Sequence, residues 1–428
     1  MEEQFEVQPV IIAGLDKNDP SFAYSMEELA NLIDANNMEV AETVTQKLDR
    51  PNAGTYFGKG KVEELKELVE ATGVSLIVTN DELSPSQIRN IEAGTGASVI
   101  DRTGLILDIF ANRAKSKEAK LQVAIARLQY QLPRLRTSMN VRMDQQTAGS
   151  GSGGFTNRGS GETKLEMDRR TIENSITHLK EELSVITKSE DTRRAQRDKS
   201  GIPTVALVGY TNAGKSTIMN GLVRMYGQGE DKTVFEKNML FATLDTSVRQ
   251  LTLPDQKQFL LSDTVGFVSK LPHNLVSAFR STLAEAAKAD LLLQVVDYSD
   301  PNYKDMMETT ELTLKQIGVT DIPMIITFNK ADLAQAPVAY PTREGDNIII
   351  SAREDDSLNA LLAIIKEKVF KDYVTENLLI PFSDGQVVTY LNEHANINST
   401  EYLEEGTLLN VELQSADAAR FEKYVYSE

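Results

Sequence analysis

The chain has 428 residues, of which 41% are hydrophobic and 25% are charged, and its formal net charge is −18. A folded chain of this length is expected to form about three domains, since a domain averages roughly 150 residues. It has no cysteine and only three histidines, far apart in sequence, which excludes disulfide frameworks, thiolate nucleophiles and cysteine-ligated zinc sites. We find neither a signal peptide nor an apolar run of the roughly 18 residues needed to cross a bilayer, so we expect a cytoplasmic protein.

The charge is unevenly distributed along the chain. Residues 111–143 hold eight basic side chains and one acidic side chain, a net charge of +7, so the remaining residues carry −25. An acidic body repels phosphate backbones, which argues against DNA binding, whereas a basic segment can approach RNA. On charge alone, a solvated helix face and a binding surface both stay open for this segment. We call its basic residues the basic strip; they are Arg113, Lys115, Lys117, Lys120, Arg127, Arg134, Arg136 and Arg142.

Residues 1–110 predict a small α/β domain with a parallel sheet. Short apolar segments alternate here with helical segments, which is the pattern of parallel strands joined by helices. The segment "GKGK" at 58–61 lacks the rest of any phosphate-binding pattern. It therefore predicts the cap of the helix that follows.

Residues 111–200 predict two amphipathic helices packed as an antiparallel hairpin. Apolar residues recur at intervals of three and four from Leu121 to Leu132 and from Ile172 to Ile186. Pro133 ends the first helix, and Thr163 with a glutamate three residues later predicts the start of the second. The connection at 133–161 is basic, rich in glycine and longer than the roughly 2 to 8 residues usual in helical hairpins. We expect a pliable, positively charged loop that contacts a partner.

Residues 201–370 carry a phosphate loop. The segment from Gly209 to Ser216 reads G-x-x-x-x-G-K-S directly after an apolar strand. Its glycines let backbone N–H groups face the phosphates, Lys215 neutralises the β- and γ-phosphates, and the serine ligates Mg²⁺. The predicted nucleotide contacts of this segment are Gly209, Tyr210, Thr211, Asn212, Ala213, Gly214, Lys215, Ser216 and Thr217.

Two further motifs complete the phosphate side of the site. In "DTVG" at 263–266, Asp263 is expected to hold Mg²⁺ through water and the N–H of Gly266 to bond the γ-phosphate. In "FATLD" at 241–245, Thr243 is expected to close over Mg²⁺ only when the γ-phosphate is present, so the segment acts as a switch. The predicted contacts are Phe241, Ala242, Thr243, Leu244, Asp245, Asp263, Thr264, Val265 and Gly266.

The segment "NKAD" at 329–332 predicts recognition of guanine. The carboxylate of Asp332 can accept hydrogen bonds from N1–H and the 2-amino group of guanine, which adenine cannot donate. The pair "SA" at 351–352 adds a backbone contact to the guanine carbonyl. Together, these ordered motifs predict GTP and GDP as ligands. The predicted contacts are Asn329, Lys330, Ala331, Asp332, Ser351, Ala352 and Arg353.

Hydrolysis of GTP requires a group that orients the attacking water. Many GTPases carry a glutamine directly after the D-x-x-G motif, but this chain has Phe267 there. Asn212 offers another device, since its side chain can hold a monovalent cation such as K⁺ against the phosphates; the alternative is that it only shapes the loop. We predict Asn212, Lys215, Thr243 and Gly266 as catalytic residues, and Ser216, Thr243 and Asp263 as ligands of Mg²⁺.

Segments outside the nucleotide motifs make the sequence resemble the HflX family of ribosome-associated GTPases. They are "DRTGLILDIFANRAKSKEAKLQVAIARLQYQLPRL" at 101–135, "LSPSQIRNIE" at 83–92 and "RGSGETKLEMDRR" at 158–170. This resemblance covers nearly the whole chain. It implies a multidomain α/β protein: an N-terminal α/β domain, a helical hairpin, a GTPase domain and a small C-terminal α/β domain at 371–428.

Membership of that family would also imply a partner. The protein would bind the large ribosomal subunit as a monomer, with the hairpin loop near the peptidyl transferase region. It would separate stalled ribosomes into subunits, often under heat or antibiotic stress.

Two other functions stay open at this point. One is a non-catalytic, GTP-dependent scaffold that regulates a protein partner such as a membrane protease, which would place the chain peripherally at a membrane. The other is a GTPase of ribosome assembly or tRNA modification, which would leave the long hairpin without a role.

Overall fold

A computed structural model describes residues 7–135, 157–198, 202–227, 240–241, 247–270 and 284–426. Within these ranges the chain forms three sheets. The first is wholly parallel, the second is parallel at its centre, and both are flanked by helices, so the predicted multidomain α/β fold is confirmed. No helix of the described part is both long and apolar enough to span a membrane.

The N-terminal domain is a four-stranded parallel sheet with strand order β2-β1-β3-β4. Its elements are β1 (Gln8–Asp16), α1 (Phe22–Ala35), β2 (Met38–Lys47), α2 (Lys59–Thr72), β3 (Leu76–Thr79), α3 (Pro85–Thr95), β4 (Ser98–Asp101) and α4 (Arg102–Arg113). The central strand β1 is almost continuously buried, as expected for a parallel strand covered on both faces. Gly58 is the N-cap of α2, which confirms that "GKGK" begins a helix.

Two helices follow the N-terminal domain and pack against each other. They are α5 (Lys117–Gln131), which ends in a 3₁₀ turn at Leu132–Arg134, and α6 (Asn157–Asp198). The predicted start of the second helix at Thr163 is wrong, because α6 begins six residues earlier. A helix that is already nucleated extends at little cost, so even the two glycines in this stretch, about 1 kcal/mol each, do not stop it. Most of the predicted loop, residues 136–156, lies outside the described residues.

The basic strip is not a single free surface. Arg134 donates to the carboxylate of Asp101 at 2.9 Å and stacks on a tyrosine ring at 3.4 Å. Arg127 pairs with Asp108 at 2.9 Å, while Lys117 pairs with a glutamate of α6 at 2.6 Å. Half of the strip thus holds structure together, since an Arg113 N–H also donates to a backbone carbonyl of α1. Two of the remaining members, Arg136 and Arg142, lie outside the described residues.

The predicted GTPase domain contains a seven-stranded sheet with order β10-β11-β9-β8-β5-β7-β6. Its elements are β5 (Thr204–Gly209), α7 (Lys215–Tyr226), β6 (Ser247–Thr252), β7 (Gln258–Asp263), α8 (Ala284–Ala287), β8 (Leu291–Asp297), α9 (Tyr303–Gln316), β9 (Met324–Asn329), β10 (Thr342–Glu344), β11 (Asn347–Ile349) and α10 (Asp355–Val369). The five inner strands are parallel, and one antiparallel strand closes each edge. Four of the five predicted nucleotide motifs follow parallel strands and therefore meet at the carboxyl ends of those strands; the exception is "FATLD".

The C-terminal domain is a three-stranded antiparallel sheet with order β12-β14-β13. Its elements are β12 (Tyr373–Ile380), α11 (Gly385–His394), β13 (Asn396–Leu403), β14 (Gly406–Gln414) and α12 (Ser415–Ala418). Lys257 joins it to the GTPase domain: its ammonium pairs with Glu412 at 2.7 Å and lies 5.2 Å from the centre of the Tyr373 ring. This domain therefore packs on the β6–β7 turn, away from the nucleotide motifs.

The N-terminal and GTPase domains share one continuous apolar core. Side chains of α1 and α4 pack with the start of "FATLD" and with the residues after "DTVG" in the same buried cluster. The rings of Phe110 in α4 and Phe241 meet edge to face, with centroids 4.5 Å apart. The phosphate side of the predicted site is therefore built against a neighbouring domain.

Candidate nucleotide site

The phosphate loop connects the central strand β5 to α7, and two of its glycines are sterically required. Gly209 has a φ of 141° and Gly214 a φ of 96°, in the region that other residues rarely adopt. A Cβ at Gly209 would collide with the carbonyl oxygen of Val295, and one at Gly214 with the side chain of Asn329. The loop thus passes close to β8 and β9. Its glycine conformations allow its N–H groups to turn toward a ligand at the start of α7.

Lys215 is a buried cation whose ammonium lies inside the phosphate loop. It donates to the carbonyl oxygens of Tyr210 at 2.7 Å and Gly209 at 3.1 Å. Burial lowers the pKa of Lys215 to about 8, an effect that the nearby Asp263 carboxylate partly offsets. Because a buried ammonium is stabilised by negative charge, this position favours the binding of phosphate groups.

The two described residues predicted to ligate Mg²⁺ lie next to each other. The hydroxyl of Ser216 donates to a carboxylate oxygen of Asp263 at 2.7 Å, and Asp263 is buried at the end of β7. No group of three or more histidine, cysteine or acidic side chains that could hold a metal occurs among the described residues. One hydroxyl and one carboxylate fit Mg²⁺, which prefers oxygen ligands and takes most of them from water and phosphates.

The "DTVG" segment is tied to the phosphate loop by backbone hydrogen bonds. The N–H of Thr211 donates to the carbonyl of Phe267 at 2.8 Å, and the N–H of Phe267 donates to Gly209 at 3.1 Å. A Cβ at Gly266 would lie 2.7 Å from Thr211 Cγ2 and 3.0 Å from Lys215 Nζ, so only glycine fits there. The N–H of Gly266 is thus held close to the lysine that is predicted to meet the γ-phosphate.

Phe267 belongs to the core and is 2% exposed. Its side chain packs among apolar residues of the shared core, so it does not take the place of the glutamine that orients water in many GTPases. Asn212 is exposed and has a φ of 60°. Its role toward a monovalent cation stays a prediction, as does the choice of Lys215 and Gly266 as catalytic residues.

Of the predicted switch "FATLD", the structure describes only the first residue, Phe241. Phe241 is buried against the N-terminal domain, whereas the sequence predicted a contact with the nucleotide. The other four predicted contacts, including the proposed Mg²⁺ ligand, lie outside the described residues; they are Ala242, Thr243, Leu244 and Asp245.

The guanine-recognition segment is fastened to the rest of the site by Asn329. Its amide nitrogen donates to the carbonyl of Ala213 at 2.9 Å, and its amide oxygen accepts from the N–H of Ala352 at 2.9 Å. Three of the predicted motifs are therefore joined by one side chain. Asp332 lies in a 3₁₀ turn after β9 with its side chain exposed, so its carboxylate is accessible to a base.

Lys330 has a partner that sequence reasoning missed. Its ammonium pairs with a carboxylate oxygen of Asp297 at 2.7 Å, and its backbone has a φ of 64°. Asp297 ends β8 beside the strand that leads to "NKAD". An acidic residue at the carboxyl end of a parallel strand is the signal that was available in the sequence.

The remaining predicted contacts lie near the phosphate loop or near the guanine-recognition segment. Thr264 and Val265 are buried behind the phosphate loop, and the hydroxyl of Thr264 donates to the carbonyl of Leu207 at 2.7 Å. Thr217 lies in the first turn of α7, while Ala331 is buried, with its N–H bonded to the carbonyl of Ile350 at 3.1 Å. Ser351 is buried and Arg353 is exposed, on either side of the alanine that bonds Asn329.

The side chain of Tyr210 has a partner in another domain. It leaves the phosphate loop, and its hydroxyl donates to Glu28 of the N-terminal domain. The nucleotide contact of this residue stays a prediction. Only its backbone faces the site, through the carbonyl that accepts from Lys215. A tyrosine within a glycine-rich loop gives no sequence signal for such a distant partner.

Three segments meet at the carboxyl ends of parallel strands: the phosphate loop, the D-x-x-G segment and the N-K-x-D segment. This arrangement defines a P-loop GTPase. Three sequence models of known families match the chain in order. They are described as "GTP-binding GTPase N-terminal" at 23–111, "GTP-binding GTPase Middle Region" at 113–197 and "50S ribosome-binding GTPase" at 204–330.

Curated relatives match this chain over most of their length. A protein named GTPase HflX from Caldanaerobacter subterraneus subsp. tengcongensis is 41% identical over 408 residues, covering 95% of this chain and 92% of the relative. The protein of that name from Alkalihalophilus pseudofirmus is 40% identical over 402 residues, covering 94% and 92%. The chain belongs to the HflX family of GTPases, and the resemblance found in its sequence is confirmed.

A solved structure is also similar to this chain. It is the GDP complex of a GTP-binding protein from the hyperthermophilic archaeon Sulfolobus solfataricus. The two chains are 24% identical, with a TM-score of 0.41, and the match covers 84% of this chain and 97% of the archaeal chain.

Proposed function

We propose that this protein binds the large ribosomal subunit in its GTP-bound form, separates stalled ribosomes into subunits and is released when it hydrolyses GTP to GDP and phosphate. The observation that carries the proposal is the match of residues 204–330 to the model described as "50S ribosome-binding GTPase". Relatives named GTPase HflX that are similar over nearly the whole chain support it. As part of this proposal, the protein acts in the cytoplasm as a monomer, under conditions such as heat or antibiotic stress that stall ribosomes.

The helical hairpin is the part of the chain that we assign to ribosomal RNA. Helix α6 has 42 residues and is therefore about 60 Å long at a rise of roughly 1.5 Å per residue. Because half of the basic strip is engaged within the protein, we assign the RNA contacts to the loop at 136–156, which carries Arg136 and Arg142. Contacts of this kind to the phosphate backbone, near the peptidyl transferase region, would supply affinity without sequence readout.

We also infer the ions that the GTPase site uses. Mg²⁺ would be held by Ser216 and Asp263, joined by Thr243 when GTP is bound, and it would neutralise charge on the phosphates. The adjacent hydroxyl and carboxylate support this assignment. The exposed Asn212 supports a K⁺ ion beside the phosphates, where it would stabilise the charge that develops during hydrolysis.

Cosedimentation with purified ribosomal subunits tests the proposal. In the presence of a non-hydrolysable GTP analogue at low ionic strength, we expect the protein to pellet with the large subunit and to convert intact ribosomes to subunits. With GTP, large subunits should raise the turnover. A protein that stays in the supernatant at every salt concentration overturns the ribosomal role, and pelleting only with precursor particles favours ribosome assembly instead.

A matched variant isolates the loop. We replace residues 136–156 by a glycine–serine linker of equal length, which removes the charges and keeps the helices joined. GTP turnover without ribosomes should stay at the wild-type level, while binding weakens and splitting is lost. A second variant with Arg136→Gln and Arg142→Gln should show a weaker salt dependence of binding, because fewer phosphates are neutralised. If the linker variant splits ribosomes normally, the assignment of the loop is wrong.

A further inference from the structure

A buried polar cluster connects the N-terminal domain to the phosphate side of the nucleotide site. At its centre, the carboxylate of Glu28 accepts hydrogen bonds from the guanidinium of Arg102 and the hydroxyls of Tyr210 and Ser269. Glu28 is 3% exposed and Arg102 is 1% exposed. We call these four residues the junction cluster. Two of them belong to each domain, so the cluster exists only while the two domains are in contact.

The N-terminal domain fixes the orientation of Arg102. One guanidinium nitrogen donates to Asn80 Oδ1 at 2.8 Å and to the carbonyl of Ser25 at 3.3 Å. The other donates to the hydroxyl of Ser269 at 3.0 Å as well as to Glu28. The side-chain Nε of Arg102 is buried without a hydrogen-bond partner among the described residues. Arg102 is thus held in place by its own domain while it donates to Ser269 of the GTPase domain.

The energetic cost of this arrangement indicates what it is for. Removing two charges from water has a large cost in free energy, and an apolar contact of the same volume would often hold the domains together as well. Apolar residues already surround the cluster in the shared core. The polar cluster adds a defined geometry, because hydrogen bonds fix the orientation of the groups that they join. The hydroxyl of Tyr210 also accepts from the N–H of Ser269, at 2.6 Å. Two points of the GTPase domain are held in one defined position.

Both of these points adjoin the groups that meet the phosphates. Tyr210 is the second residue of the phosphate loop, and its carbonyl accepts from Lys215. Ser269 follows Gly266 by three residues, a chain length that spans at most about 10 Å. A movement of Gly266 therefore reaches the junction cluster almost directly.

Other contacts extend the attachment on the same side of the site. Lys270, next to Ser269, pairs with Asp81 of the N-terminal domain at 2.7 Å. Phe241, the first residue of "FATLD", packs on Phe110 of α4. The start of "FATLD" and the residues that follow "DTVG" are thus both fastened to the N-terminal domain.

We propose that Glu28 and Arg102 are positioning residues for GTP turnover, which hold the "DTVG" segment from a neighbouring domain so that the N–H of Gly266 meets the γ-phosphate. GDP has no γ-phosphate, so this contact distinguishes GTP from GDP. Without the cluster, the segment must be ordered when GTP binds, and that ordering weakens GTP binding while leaving GDP binding unaffected. The inference rests on the GTPase site and not on the ribosomal role, so the two proposals can fail separately.

Single hydroxyl deletions test the inference in the full-length protein. Ser269→Ala and Tyr210→Phe each remove one hydroxyl and leave the ion pair of Glu28 and Arg102 intact. For Ser269→Ala, we expect affinity for a non-hydrolysable GTP analogue to fall by about 5-fold or more, with GDP affinity within about 2-fold of wild type. For Tyr210→Phe, which lies in the phosphate loop, we expect a larger loss for the GTP analogue than for GDP. The kcat for GTP should fall as well. If Glu28→Gln folds, it should lose more affinity for the GTP analogue than either hydroxyl variant. This variant leaves a buried guanidinium without a counter-ion, so the hydroxyl variants are the primary test.

The matched control is Arg134→Met. Arg134 pairs with the buried Asp101 at 2.9 Å, and its described contacts lie outside the GTPase domain. This variant should keep the wild-type ratio of GTP to GDP affinity even if it is less stable. In Tyr210→Phe, the N–H of Ser269 should also exchange with solvent faster, because it loses the nearer of its two acceptors and keeps only Glu28, at 3.3 Å. An unchanged ratio in the hydroxyl variants, equal losses for GTP and GDP, or the same shift in the control each overturns the inference.

Discussion

The two ends of the nucleotide site are held in different ways. At the guanine end, the GTPase domain supplies its own supports: Asn329 joins the base-recognition segment to the phosphate loop, and Asp297 fixes Lys330. At the phosphate end, Glu28 and Arg102 of another domain fasten the loop and the "DTVG" segment. We therefore expect recognition of the base to depend on one domain and contact with the γ-phosphate to depend on the fit of two. A partner that moves the N-terminal domain would act on turnover and leave the choice of nucleotide unchanged.

The largest expected effect tests the independence of the guanine end. Asp332→Asn replaces two acceptors by one acceptor and one donor, which suits xanthine better than guanine. The ratio of GTP to XTP affinity should change by about ten-thousand-fold, measured by competition against a fluorescent guanine nucleotide. The thermal midpoint should stay near that of wild type because the side chain is exposed. If the variant still prefers GTP, the assignment of Asp332 is wrong.

The next effect measures how much the ion pair of the junction cluster contributes to stability. Arg102→Met leaves the carboxylate of Glu28 buried without its cation, and stability should fall by about 3 to 5 kcal/mol in denaturant unfolding. Arg134→Met should cost less, since Asp101 keeps bonds from the hydroxyl of Tyr130 and two backbone N–H groups. Equal stability of Arg102→Met and the wild type would show that the ion pair contributes nothing to the stability of the protein.

A smaller effect distinguishes the guanine end from the phosphate end by comparing GTP with GDP. Asp297→Asn removes the charged partner of Lys330, so affinity should fall by about 3- to 10-fold. The loss should be the same for GTP and GDP, because both carry the guanine that this lysine adjoins in the predicted site. Titration calorimetry with each nucleotide measures it. A loss confined to GTP would contradict the comparison, since it would place Lys330 at the phosphate end.

The smallest effect is a pH dependence at the phosphate end. Burial lowers the pKa of Lys215 to about 8, and bound phosphates favour the ammonium form and raise that pKa again. Binding therefore takes up a proton above about pH 8, and nucleotide affinity should fall about threefold between about pH 7.5 and pH 8.5. Lys215→Arg stays charged, so it should bind more weakly but show only the titration of the nucleotide itself. Parallel pH profiles for the two proteins would contradict the assignment.

The sequence alone determined the nucleotide motifs and most of the fold that presents them. Each motif is local: "GYTNAGKS" and "NKAD" follow apolar strands, and the spacing of strand, loop and glycine already carries the geometry. The parallel sheets were predictable for the same reason, because alternating strands and helices leave few arrangements. The start of α6 was not, since helix ends depend on small differences in free energy.

Only the tertiary structure decided how the phosphate end is supported. Glu28 and Ser269 are 241 residues apart, and Arg102 and Ser269 are 167 apart, so no periodicity or spacing links them. The same holds for the basic strip, whose charge is visible in the sequence although the partners of Arg127 and Arg134 are not. A local pattern reports which chemistry a segment can perform. Which charges are neutralised and which loops are held depends on surfaces that meet only after two domains have folded.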